Sequence, residues 1–346
     1  MFMQKPATTR PPSSRLRLSS FLALALAGVA MLSVARAQQP SQPQPPPPPS
    51  QPPASRPVTQ GTGYSIQRDV NLVVLHVSVL NQRGEFVPGL TQDLFHVYED
   101  RAEQMISVFR QEDVPVSMGL VIDNSGSMRD KRPLVNAAAI TLVKTSNPQD
   151  EAFVVNFNDD YYLDTVHDFT NDISELNDAL ERIDSRGSTA LYDAVIGSLD
   201  HLKKGHKDKK VLLVITDGED NASRRTLENA VQEAQRSDAI IYAIGLFDKD
   251  MKGSEIRKAR RALNDLTTAT GGVAFFPESV DDTQAICTQV AHDIRNQYTI
   301  AYYPTNANRD GTFRSVMVTV IPPRGMGKLT VRTRNGYYAS GPVSGN

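Results

Sequence analysis

Asp123-Asn-Ser125-Gly-Ser127 sets one carboxylate and two hydroxyls within five residues. Carboxylate and hydroxyl oxygens are hard ligands, suited to Mg²⁺, Ca²⁺ or Mn²⁺ and poor for zinc or copper. Mg²⁺ takes six oxygens near octahedral geometry and usually keeps waters, so a cage made wholly of protein is not expected. The five residues follow the apolar run Val114-Pro-Val-Ser-Met-Gly-Leu-Val-Ile122, which reads as a buried strand of a parallel sheet. All three oxygens therefore leave the carboxyl end of a central strand together. Gly126 lets the backbone turn tightly there without a Cβ penalty. Taken alone, the pattern also fits a helix start, with Ser125 and Ser127 capping the helix after Asp130.

Two further segments extend the pattern. Gly187-Ser188-Thr189-Ala190-Leu191-Tyr192-Asp193-Ala194 opens a helix whose apolar face runs Leu191, Val195, Leu199, Leu202. Val211-Leu-Leu-Val-Ile-Thr216-Asp217-Gly218 is a second buried strand ending in an aspartate. In this order, over roughly residues 114–296, the three segments resemble the ligand loops of the metal-ion-dependent adhesion site of von Willebrand factor type A (VWA) domains. The resemblance implies one divalent cation, Mg²⁺ ahead of Ca²⁺ or Mn²⁺, bound by Asp123, Ser125, Ser127, Thr189 and Asp217. Ser125, Ser127 and Thr189 would supply neutral oxygens, and Asp123 and Asp217 charge, directly or through water. It also implies that an acidic side chain of a protein partner completes the ion's shell, with Asn124, Ser188, Gly218 and Glu219 on the partner-binding rim. The capping alternative leaves Thr189 and Asp217 unexplained.

The elements that must position these residues alternate. Strands are expected at 115–122, 152–158, 162–168, 210–216, 239–246 and 273–276, and helices at 131–146, 172–184, 190–203, 225–237, 255–269 and 280–295. Such alternation predicts an α/β fold, a doubly wound, Rossmann-like sheet with helices on both faces. Ligands of such sheets bind beyond the carboxyl ends of the strands, where strand order reverses. In the family the first and fourth strands flank that point, here those ending at Asp123 and Asp217.

The flanks of the domain read differently. Residues 64–113 hold about four strands, including Val70–Leu80 and Met105–Phe109, and residues 297–346 hold three more, at 297–303, 313–321 and 329–334. Neither set is large enough to bury a core alone, so the two are expected to pack together as one β-sandwich-like module. Gly89-Leu90, Phe95-x-Val97-Tyr-Glu-Asp100, Ile300-Ala-Tyr-Tyr-Pro304 and Arg334-Asn-Gly-Tyr-Tyr-Ala339 resemble an exported "VWFA-related" bacterial family described chiefly from acidobacteria.

Residues 1–37 read as an export leader, with Lys5, Arg10, Arg15 and Arg17 in front, an apolar stretch from Phe21 to Val34, and the small-x-small signal Ala35-Arg-Ala37. The apolar stretch is shorter than the roughly twenty residues of a spanning helix, so membrane contact is expected only if the leader is retained. Residues 38–63 are a Pro/Gln-rich linker, with Pro45–Pro49 unbroken. Without the leader's five cations, 32 of the 37 basic side chains remain against 39 acidic ones, a formal charge of about −7. An exported acidic protein is a poor nucleic-acid binder. Cys287, the only cysteine of the sequence, offers no disulfide framework within one chain and sits in a helical apolar pattern that buries it.

Catalytic residues are not expected. Ser125 lacks the glycines of a nucleophile elbow, because Asp123 and Ser127 stand in their places. The six histidines form no metal-binding pair, and no Gly-rich phosphate loop occurs, so no small-molecule cofactor is expected. His201, His206 and the lysines around them read as a solvated basic turn. Asp159, Asp160, Glu219 and Asp220 read as loop acids. Two classes remain: a cation-dependent protein-binding module of the periplasm, envelope or exterior, and a structural component of the envelope in which the cation only stabilises the loops.

Overall fold

The structure, a computed structural model, describes residues 72–339 apart from 183 and 184. These fall in the unit Ile66–Asn346. The expected leader, the linker and the start of the N-terminal β segment lie outside the described residues.

Alternating side chains make the first strands. In Val73–Leu80 (β1), Val73, Leu75, Val77 and Val79 are buried, and in Phe95–Glu99 (β2) Phe95, Val97 and Glu99 are. Ala102–Gln104 (β3) and Ile106–Arg110 (β4) follow. The next elements change period. Val116–Asp123 (β5) is buried at every residue, the mark of a strand covered on both faces. After it come Arg132–Thr145 (α1), Glu151–Phe157 (β6), Tyr161–Leu163 (β7), Ile173–Leu180 (α2), Leu191–Leu202 (α3), Lys209–Thr216 (β8) and Leu227–Arg236 (α4). Ala239–Gly245 (β9), Gly253–Thr270 (α5), Ala274–Phe275 (β10) and Thr283–Arg295 (α6) complete the α/β part. Tyr298–Tyr302 (β11), Phe313–Val320 (β12), Thr330–Arg332 (β13) and Gly336–Tyr338 (β14) end the chain's described part.

The central sheet has the order β10-β9-β8-β5-β6-β7, parallel except for β7. Met118, Leu120 and Ile122 of β5 pack under α1, α2 and α6, while Val121 faces the side covered by α3, α4 and α5. The fold is thus the expected doubly wound α/β type, with strand order reversing between β5 and β8. Asp123 closes β5 one residue beyond the pair Ile122–Ile215, so the carboxyl ends of both strands meet there.

Two elements differ from the sequence reading. The strand expected at 162–168 is only Tyr161–Leu163, an antiparallel edge strand on β6. The helix expected at 172–184 ends at Leu180. Its last carbonyls are taken from outside the helix: Leu180 O accepts from Arg132 and Asn136, and Ala179 O accepts from Asn156. These buried donors stop a helix whose apolar pattern could continue.

The two flanks form one β module. β1 lies between β11 and β13, with Leu75 opposite Ile300, and β2 lies beside β12, with Val97 opposite Val318. The two four-stranded sheets enclose one core of Leu75, Val77, Val97, Tyr298, Ile300 and Tyr302 among others. Arg334 joins this module to the α/β part: its guanidinium donates to Asp238, to Gln235 O and to Ser237 O. Arg332 pairs with Asp293 of α6 at 2.7 Å.

Candidate metal centre

Three loops carry the site. The first leaves β5 at Asp123 and makes a single 3₁₀ turn over Gly126–Met128 before α1. Asp123 is fully buried, and its two oxygens are used within the protein. Oδ1 accepts from Ser125 N at 2.8 Å, and Oδ2 accepts from Thr216 Oγ1 at 2.6 Å. Neither Ser125 nor Lys131, the residues before the 3₁₀ turn and α1, caps its helix with a side chain. The serines therefore are not spent on capping. Ser125 Oγ lies 3.3 Å from Ser127 Oγ, and Ser127 Oγ donates to Asp217 Oδ1 at 2.8 Å.

The second loop turns at Gly187, where φ is +75° and a Cβ would meet Asp159 Oδ2 at 2.2 Å; only glycine fits. Asp159 accepts from Ser188 N at 2.8 Å, and Asn158 O accepts from Ala190 N at 2.7 Å. Thr189 between them is buried. Its N–H donates to Asn221 Oδ1 at 2.8 Å and its carbonyl accepts from Asn221 N at 3.0 Å, so the third loop holds its backbone on both sides. A Cβ added to Gly218 would lie 3.4 Å from Thr189 Oγ1, which puts that hydroxyl beside the residue following Asp217. All five expected ligand residues thus converge on the end of the sheet between β5 and β8.

The electrostatics are those of a crowded acidic site. Burial, and after it the neighbouring Asp217, push the Asp123 carboxyl up to about 6, against the hydrogen bonds from Thr216 and Ser125. Lys131 Nζ donates to Asp217 Oδ2 at 2.5 Å and to Asp248 Oδ2 at 2.7 Å. Burial works against its charge, but these two partners outweigh burial and raise its pKa. Among the described residues no three His, Cys, Asp or Glu side chains come together as a metal-holding group. A cation here would draw on hydroxyls as well as the two aspartates, and this set of oxygens fits a hard divalent ion.

The expected rim needs one correction. Asn124 is buried rather than presented to a partner. Its side-chain oxygen accepts from Ser185 Oγ at 3.0 Å, its N–H donates to Phe157 O and its carbonyl accepts from Arg186 N. It braces the first loop against the second, because the backbone path after Asp123 turns it into the protein. Ser188, Gly218 and Glu219 are partly exposed, with Glu219 paired to Lys258 at 2.9 Å. Asp220 is a loop brace that accepts from Tyr192 N and Ser223 Oγ, whereas Asp159 is exposed, as expected of a loop acid, and also accepts from Ser188 N. In the basic turn, His206 pairs with Glu151, and Lys204 with Asp168. Sequence reasoning missed Thr216, Asn221, Lys131 and Asp248. Thr216 stands next to Asp217 and could have been suspected; Asp248 has no local signal.

Residues 118–219, which contain all five expected ligand residues, match the sequence model of the von Willebrand factor type A domain. The chain carries a von Willebrand factor type A domain. Among solved structures, the chain is similar to a von Willebrand factor type A protein from Catenulispora acidiphila, with 12% identity and a TM-score of 0.45 over 77% of this chain and 73% of that one. It is similar also to the von Willebrand factor domain of the type V pilus tip protein Mfa5 from Porphyromonas gingivalis, with 14% identity and a TM-score of 0.45 over 53% and 95%. A third is proximal thread matrix protein 1 of the mussel byssus with a zinc-occupied metal-ion-dependent adhesion site, at 16% identity and TM-score 0.43 over 57% and 50%. No curated protein sequence matches the chain.

Proposed function

We propose that this protein is an exported, non-enzymatic binding module whose VWA domain recognises an acidic side chain of a protein partner through one divalent cation, Mg²⁺ ahead of Ca²⁺ or Mn²⁺. The observation that carries the reading is the convergence of Asp123, Ser125, Ser127, Thr189 and Asp217 where β5 and β8 end together. Two buried carboxylates lie near enough there for Asp217 to raise the Asp123 pKa, and hydroxyls would supply the remaining oxygens. A bound divalent cation would offset the repulsion between the aspartates and, being short of anionic ligands, would accept a partner's carboxylate. Ser188, Gly218 and Glu219 form the exposed rim around it.

The alternative, in which the cation only locks the loops, is less well supported. Hydrogen bonds already join the loops: Thr216 to Asp123, Ser127 to Asp217, and Asn221 to Thr189. A non-enzymatic reading is supported by the histidines near acids, since His96, His167 and His206 bond to Glu103, Glu175 and Glu151 and not to Ser125 or Ser127. The leader at 1–37 supports a periplasmic, envelope or extracellular location, and the flank motifs support membership of the exported bacterial family. Membrane contact is proposed only for a form that keeps its leader.

The test is capture of envelope proteins on the immobilised full chain in Mg²⁺ and in EDTA, with circular dichroism as the folding control. Ser125→Ala combined with Ser127→Ala should lose as much capture as chelator removes, with an unchanged spectrum. Equal capture in Mg²⁺ and EDTA would hand the function to the structural alternative and direct attention to the β module.

A further inference from the structure

Beside the five oxygen ligands stands a cation that the chain itself supplies. Lys131 Nζ reaches Asp217 Oδ2 at 2.5 Å and Asp248 Oδ2 at 2.7 Å. The Lys131 side chain is 14% exposed and that of Asp217 1%, so little water screens the pair. Asp217 is thereby fully engaged, with Oδ1 taking the Ser127 hydroxyl and Oδ2 the ammonium. Asp248, half exposed in the loop after β9, holds the ammonium from the solvent side.

The helix does not account for this lysine. Lys131 is the residue before α1 and makes no side-chain cap bond, and a cation at a helix N-terminus sits at the unfavourable end of the helix dipole. Nor is it an ordinary surface pair, whose contribution is small because both partners are hydrated. The carboxylates account for it. Arg132, the next residue, is buried and engaged elsewhere, bonding to Asn156 Oδ1 and Leu180 O, which leaves Lys131 as the cation paired with Asp217.

We infer that Lys131 is a tethered counter-ion: it holds Asp217 and its loop in place when no divalent cation is bound, and it weakens cation binding by opposing the incoming charge. The inference rests on the metal reading of the site. A unit charge a few ångströms from a divalent ion, in surroundings with little water, is repelled strongly enough to alter affinity by about tenfold or more. The lysine thus sets an affinity threshold, so that the site fills only where the cation is plentiful or where a partner's carboxylate adds its own attraction.

Calorimetric titration of Mn²⁺ into the full chain, into Lys131→Met and into Lys131→Gln tests this, together with melting midpoints in EDTA and in saturating Mn²⁺. Both variants should bind Mn²⁺ about tenfold more tightly. They should melt lower than the wild type in EDTA and gain more from Mn²⁺ than the wild type does. Gln keeps hydrogen-bond donors for both aspartates, so it decides the matter if Met does not fold. A merely structural ion pair would lower the midpoint equally in both conditions and leave Mn²⁺ affinity unchanged or weaker; with the wild type binding, that result overturns the counter-ion role alone. Absence of Mn²⁺ binding in wild type and variants alike would remove the metal reading and the counter-ion role together.

Discussion

Ser127 donates its hydroxyl hydrogen to Asp217 at 2.8 Å, joining the loop after β5 to the loop after β8 across the point where strand order reverses. The bond fixes more than a contact. It commits the hydroxyl's proton to the aspartate and leaves the oxygen free to accept. Thr216 likewise donates its hydroxyl hydrogen to Asp123, at 2.6 Å. Each buried carboxylate is therefore held by a hydroxyl, and each is oriented before any ion arrives.

Thr216→Val keeps the shape of the side chain and removes its donor. Asp123, fully buried, then loses one of its two hydrogen bonds. Removing a donor to a buried charged acceptor costs about 1–3 kcal/mol. Urea unfolding in EDTA at neutral pH should register that loss with an unchanged m-value. A stability equal to wild type would mean that the hydroxyl does not support Asp123.

The β module should fail as a unit. Ending the chain at residue 296 removes β11 and β13, both neighbours of β1. Amide exchange over 73–80 should then become fast although those residues remain. Native protection of that strand in the truncated protein would show that the N-terminal flank folds without the C-terminal one.

Lys209, at the start of β8, is buried and donates to Ile294 O; burial pushes its pKa down from 10.5 to about 7. Between pH 7 and 10.5 the unfolded chain keeps this proton while the folded chain has lost it, so stability attributable to Lys209 rises with pH across that window and is flat below it. Denaturant unfolding at a series of pH values should give the wild type a slope about 1 kcal/mol per pH unit steeper than Lys209→Met between pH 7.5 and 9.5. Lys209→Met should also be the more stable protein at pH 7. Parallel profiles would place the Lys209 pKa near its ordinary value.

What could be read from the sequence was what is local. β5 and β8 are covered on both faces, so their apolar runs are continuous and announce a parallel sheet. Asp123, Ser125 and Ser127 lie within five residues, so their chemistry is visible without the fold. Asp217 is marked by ending a buried strand. What escaped was set by tertiary contacts. Lys131 and Asp248 are 117 residues apart and meet only because β9 lies beside β8. Asn124 carries a polar side chain in an exposed-looking motif, yet the path of the loop turns it inward onto Ser185. The end of α2 depends on Arg132, Asn136 and Asn156, which come from other elements.

The central claim is that Asp123, Ser125, Ser127, Thr189 and Asp217 together hold one divalent cation. Calorimetric titration of Mg²⁺ and Mn²⁺ into the full chain, into Asp123→Ala and into Thr189→Ala addresses it most directly, because Thr189 comes from a different loop and carries no charge. The account predicts one ion per chain for the wild type and loss of binding in both variants, with circular dichroism spectra unchanged. Mg²⁺ and Mn²⁺ affinities that are the same in all three proteins would contradict it.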